Sequence, residues 1–110
     1  EIAPNINALL HEIAADKSSI DYFIFHQANL LMLESVRKKM KLEPAKVPYS
    51  LYDYGNTSSA TIPLTMVTKI RALLVSKKLN LVLSGFGVGL SWGSAYIETE
   101  NIICLELIEL

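Results

Sequence analysis

The chain has 110 residues, enough for one domain with one core, and 51% of them are hydrophobic against five glycines and four prolines. That balance excludes a disordered chain, and a formal charge of -1 excludes the strongly basic surface of a general nucleic-acid binder. A single cysteine excludes a disulfide-built fold, and no apolar run approaches the ~20 residues of a membrane-spanning helix.

Pro4 suits a first helical position, and Ile6, Leu9, Leu10 and Ile13 recur at helical spacing, so a helix is predicted over 4–16. Ser18 and Ser19 mark a break. Residues 21–25, aromatic and β-branched, read as a buried strand. A second helix follows over 30–40, with Met32, Leu33, Val36 and Met40 inward and Arg37, Lys38, Lys39 and Lys41 outward. Residues 43–45 read as a turn, 47–52 as irregular or a short strand, and 54–57 as a loop with turn chemistry. Ser58 or Ser59 is placed to cap a third helix reaching Ser76, with Pro63 in its early turns. Strands are predicted over 80–86 and 92–98, joined by a tight turn of Gly85, Gly87 and Gly89. A last strand over 102–108 would form an extra edge and bury Cys104.

Helices alternate with buried strands, and then strands pair as hairpins. The fold class is therefore α/β, a mixed central sheet with helices layered on it, as a single domain over 1–110. No internal repeat is visible. Charge is uneven: Arg37, Lys38, Lys39, Lys41 and Lys46 cluster in 34–46, while residues 98–110 carry four glutamates and no base. The basic segment reads either as a solvated helix face or as a surface for an acidic partner.

Three clusters can carry chemistry. His26–Gln27–Ala28–Asn29 stands between an apolar strand and a helix, where α/β enzymes place groups that contact ligands. A histidine there can donate to a substrate oxygen or move a proton, or simply satisfy local backbone. Gly55–Asn56–Thr57–Ser58 offers a neutral amide donor which, paired with a histidine N–H, can hold an oxygen that gains negative charge. It can equally be a plain turn. Gly85–Phe86–Gly87–Val88–Gly89 permits close backbone approach to an oxyanion, or a tight hairpin. Its spacing is not the dinucleotide G-x-G-x-x-G, and a strand follows where that motif needs a helix. His11 and His26 are too differently placed to suggest a metal site.

The strings IDYFIFHQANLLMLESVRKKM, YDYGNTSSATIPL and LVLSGFGVGLSWGSA, in this order and spacing, resemble the C-terminal half of the type III 3-oxoacyl-carrier-protein synthases of the thiolase-like superfamily. The resemblance spans about residues 5–98. It implies a homodimeric cytoplasmic acyltransferase of fatty acid or related ketide synthesis, with two similar α/β halves. Such an enzyme takes an acyl group from coenzyme A onto a cysteine. It then condenses that group with malonyl-carrier protein, losing carbon dioxide. No cofactor is implied, acyl-coenzyme A being a substrate, and no membrane or nucleic acid.

Residue by residue, the resemblance makes His26 and Asn56 the two donors to the malonyl thioester oxygen, stabilising the enolate. Gly87 and Val88 belong to a second oxyanion site, with the Val88 amide as donor, and Phe86 packs by the malonyl carboxylate. Gln27 and Asn29 hold the loop and the donors. Arg37, Lys38 and Lys39 match the face that docks acidic carrier protein. Leu31 stands where many relatives have an arginine used in that docking, which puts the strength of the contact in doubt.

Nothing in the sequence matches the family's nucleophilic cysteine, which lies in the N-terminal half. The chain begins on Glu1 rather than methionine and reads as a fragment, a tag-cleaved product or a processed chain, inactive on its own. Two other readings remain. One is a superfamily acyltransferase, which the retained Asn56 disfavours. The other is a non-catalytic carrier-binding or dimerising domain, which retention of both His26 and Asn56 disfavours.

Overall fold

A computed structural model describes residues 2–87 and 91–109. Helix α1 (Ile2–Glu12) buries Ile2, Ala3, Ile6 and Leu10. It stops short of the predicted 4–16 span because Ala14 takes a left-handed backbone, φ 53°, and the Ala15 amide returns to the Leu10 carbonyl at 2.9 Å. That is a Schellman closure. Helix α2 (Leu30–Lys39) ends in the same way, with Lys41 at φ 57° and the Leu42 amide on the Arg37 carbonyl at 3.0 Å.

Strand β1 (Tyr22–Phe25) has four residues, and Phe23, Ile24 and Phe25 are fully buried. At roughly 1.5–3 kcal/mol for each such side chain, burial offsets the ~1–2 kcal/mol per residue needed to order the backbone. Strand β2 (Lys78–Gly87) pairs with it in parallel, Tyr22 opposite Leu81 through Phe25 opposite Ser84. Strand β3 (Ser91–Glu100) runs antiparallel to β2 along its length, giving a mixed sheet in the order β1-β2-β3.

Alternation along the strands divides the apolar residues between two cores. Phe23, Phe25 and Val82 meet Ile6, Leu10, Leu33 and Val47 on the side of α1 and α2. Ile24, Leu79 and Leu81 meet Ile70 and Leu74 on the other side. The α/β layering expected from sequence is the one found.

Three further predicted elements differ. Residues 47–52, expected as irregular or a short strand, lead into a one-turn helix, α3 (Leu51–Tyr54). The long third helix is two pieces, α4 (Thr61–Lys69) and α5 (Arg71–Ser76), broken where Ile70 leaves helical geometry (φ -128°, ψ 14°) with its side chain buried in the second core. Neither Ser58 nor Ser59 caps it. Both lie in a 3-10 turn, Ser58–Ala60, ahead of α4.

The predicted strand over 102–108 does not form. Asn101 turns the chain at φ 48°, and the next residues bond to α5 instead of a sheet edge. The Ile102 amide donates to the Leu74 carbonyl at 3.1 Å, and Arg71 Nε donates to the Cys104 carbonyl at 2.8 Å. Cys104 is half-buried against the second core.

A charged clamp ties α2 to the segment before α3. Arg37 donates to both carboxylate oxygens of Glu34 at 3.1 Å and, through Nη1, to the Leu42 carbonyl at 3.2 Å. Tyr49 donates its hydroxyl to Glu34 at 2.5 Å, a length typical of O–H donation to a carboxylate. These bonds, Arg37 first and Tyr49 second, lower the Glu34 carboxyl from 4.5 to about 2. Because the folded value lies below the unfolded one, the clamp's contribution is complete above about pH 4.5 and is lost as pH falls towards 2. We therefore expect the stability difference between wild type and Glu34→Gln, read from urea unfolding, to hold steady at neutral pH and to close across that acid window.

Candidate active site

β1 ends at Phe25, but the His26 amide still donates to the Ser84 carbonyl at 2.9 Å. The alternation therefore runs one residue further, and His26 falls on the Ile24 face, towards α4. There its Nδ1 lies 2.5 Å from Thr61 Oγ1, at the first residue of α4. The ring stands edge-on to Phe86, with centroids 5.2 Å apart and planes at 75°, a favoured aromatic geometry.

Gln27 points the other way and is fully buried. Its Nε2 donates to the Phe25 carbonyl at 2.7 Å, and its Oε1 accepts from the amides of Ser50 and Leu51 at 3.1 and 3.3 Å. One side chain thus fixes the start of α3 to the end of β1. Asn29 caps α2, its Oδ1 accepting from the Met32 amide at 2.9 Å.

The chain leaves α3 through Gly55 at φ 66°, ψ -156°, a combination essentially restricted to glycine. This turn delivers Asn56. The Asn56 Oδ1 accepts from the Ser58 amide at 2.9 Å, and its Nδ2 lies 3.5 Å from the Ala28 carbonyl. With the oxygen held by backbone and one Nδ2 hydrogen turned to the Ala28 carbonyl, the amide has its second N–H left to offer the cleft.

His26 and Asn56 line one cleft of 610 Å³ with Ser58, Ser59, Thr61, Ile62, Gly85, Phe86 and Gly87. It opens at the C-terminal ends of the two parallel strands, where open α/β sheets bind ligands. The three sequence clusters thus converge on it. Gly85 and Gly87 belong to β2 rather than to a turn. Val88 lies outside the described residues.

A second, more apolar cleft of 520 Å³ lies on the α2 side, lined among others by Asn29, Leu31, Met32, Val36, Lys39 and Trp92. Phe86 and Gly87 line both. Of the basic residues on α2, Arg37 is engaged by Glu34, whereas Lys38 and Lys39 are exposed. Among the described residues no group of three possible metal ligands occurs, His11 is exposed, and Cys104 lines neither cleft.

Two features escaped the sequence. The apolar cleft draws on residues scattered from 2 to 92, with no local signature. Thr61 carried no signal in the sequence, and only the alternation through His26 together with the true beginning of α4 brings it to the imidazole.

The family model described as 3-oxoacyl-[acyl-carrier-protein] synthase III C terminal matches residues 10–99. The chain belongs to this family. A beta-ketoacyl-[acyl-carrier-protein] synthase III of Streptococcus agalactiae is 37% identical over 100 residues, covering 89% of this chain and 31% of the relative. A chloroplastic synthase III of Arabidopsis thaliana is 37% identical over 94 residues, covering 86% of this chain and 23% of the relative. The crystal structure of a 3-oxoacyl-(acyl-carrier protein) synthase from Burkholderia xenovorans superimposes with a TM-score of 0.94 at 39% identity, over 99% of this chain and 31% of that one. That of a synthase III from Pseudomonas aeruginosa gives 0.84 at 29% identity, over 93% and 32%. The chain spans about a third of the length of the synthase III relatives it matches, and corresponds to their C-terminal region.

In this synthase III domain the approach of Asn56 to the cleft depends on Gln27. Replacing Gln27 by leucine keeps the volume but strands the two amides and the carbonyl, at roughly 1–3 kcal/mol for each buried group left unpaired. Gln27→Leu should therefore lower unfolding stability by about 3 kcal/mol or more in a denaturant titration, whereas Asn29→Ala, the loss of one cap, should cost about 1 kcal/mol.

Proposed function

We propose that this chain is the C-terminal domain of a decarboxylating condensing enzyme, and that His26 and Asn56 together bind the thioester oxygen of a malonyl group. The observation that carries this reading is the meeting of an imidazole and an amide NH₂ in one cleft at the strand ends. Loss of carbon dioxide from a malonyl thioester leaves an enolate, whose negative charge builds on the thioester oxygen. Two fixed neutral donors stabilise that charge more than they stabilise the substrate, which is the condition for accelerating the step. Phe86 on the same wall gives the departing carboxylate an apolar neighbour, and poor solvation of that charge favours its loss.

The partners follow from the family. The acyl group would come from acyl-coenzyme A and the malonyl group from an acidic carrier protein, with no cofactor. Lys38 and Lys39 are the exposed cations on α2 that would meet the carrier. Arg37, held by Glu34 and Leu42, would shape that surface more than contact it. The nucleophilic cysteine has no counterpart in this sequence, so these 110 residues alone would not condense substrates. The whole enzyme would be a cytoplasmic homodimer acting in fatty acid or related ketide synthesis.

The test uses the full-length protein carrying this domain, with labelled acetyl-coenzyme A and malonyl-carrier protein. A 3-oxoacyl-carrier product should form, and His26→Ala or Asn56→Ala should each slow decarboxylation by roughly a hundredfold to a thousandfold, the usual effect of removing one oxyanion donor. Labelling of the protein without condensation would replace this reading with acyl transfer. Carrier binding with neither reaction would replace it with a docking domain.

A further inference from the structure

Whether His26 can donate into the cleft depends on which ring nitrogen carries its proton. We infer that Thr61 sets this, acting as a positioning residue that donates its hydroxyl to His26 Nδ1 and thereby holds the neutral ring with its proton on Nε2. The role of that proton in binding the thioester oxygen rests on the function proposed above, but the tautomer assignment does not.

A column of buried hydroxyls links Ser50, through Thr65, to Thr61. Ser50, Thr61 and Thr65 are all buried, Thr61 to 1% exposure. Thr65 donates to the Thr61 carbonyl at 2.7 Å, which uses its one proton. The 2.7 Å contact between Ser50 Oγ and Thr65 Oγ1 must then be donated by Ser50. Thr61 Oγ1 has a single partner among the described residues, His26 Nδ1 at 2.5 Å. If the ring donated this bond, the Thr61 proton would be left buried without an acceptor, at a cost that exceeds the small preference between imidazole tautomers. If Thr61 donates, every proton in the column has a place, and Nδ1 is an acceptor. The Nε2–H then follows from the chemistry of neutral imidazole. Gln27 anchors the far end of the column, its Oε1 accepting from the Ser50 amide at 3.1 Å.

The experiment reads the ring directly. The full-length protein is prepared with isotope-labelled histidine, and the His26 nitrogen resonances, assigned by their loss in His26→Gln, are followed in wild type, Thr61→Ser and Thr61→Val at a pH where the ring is neutral. Wild type and Thr61→Ser should show an Nε2–H ring whose Nδ1 shift is that of a hydrogen-bonded acceptor. Thr61→Val should move the Nδ1 shift to that of an unbonded nitrogen, with a fall of roughly tenfold or more in kcat for malonyl-thioester decarboxylation and little change in KM. Thr61→Ala, which leaves room for folding, replaces the valine variant if that one does not fold. A wild-type ring protonated on Nδ1, or a Thr61 variant without the hydroxyl whose His26 spectrum is unchanged, overturns the assignment. Should the protein prove not to decarboxylate malonyl thioesters at all, the spectra still decide the tautomer while the function proposed above fails.

Discussion

The parallel pairing of Tyr22–Phe25 with Leu81–Ser84 is the constraint on which the rest of the molecule depends. Four residues are too few to hold a strand by backbone bonds alone, so the pairing survives by filling a core on each face. Once Phe23 and Phe25 are committed to the α1 and α2 side, alternation has no freedom left. Ile24 and the residue two further on must face α4, and that residue is His26. A slip of one residue would turn the imidazole towards α1 and α2, put Phe23 and Phe25 on the α4 side, and turn Gln27 away from the amides it serves. The packing of an apolar strand thus decides where the polar chemistry sits.

The same economy appears around the loop that brings Asn56. Its path is set from both ends, and the side chain of Asn56 is then tied to backbone. Gln27 holds the start of α3, Gly55 supplies a turn that side chains with a Cβ resist, and Ser58 fixes the amide oxygen. Preorganisation of this kind matters for a donor to a developing charge, because an amide that had to rotate into place would give back much of its benefit.

Much of this was legible in the residues. The buried strand, the two principal helices, the α/β layering and the meeting of the histidine, asparagine and glycine clusters all follow from periodicity and turn chemistry together with the family's motifs. The losses were local and have physical causes. Left-handed Ala14 and Asn101 close a helix and end a strand without a glycine to announce them. The apolar run 102–108 has strand composition, but the bonds offered by Leu74 and Arg71 claim it first. Ser58 has the chemistry of a helix cap, yet its left-handed backbone, φ 60°, places it before the helix. The Thr61 contact joins positions 35 residues apart and carries no pattern in the chain.

Phe86 has a consequence of its own. Its ring lines the polar cleft and the apolar cleft alike, and it also meets the His26 ring in a T-shaped contact. The two clefts therefore have one partition between them rather than separate walls. Any occupant that displaces the ring from the apolar side also shifts the support of the imidazole on the other, so the width of one compartment and the aim of the donor in the other are a single mechanical variable.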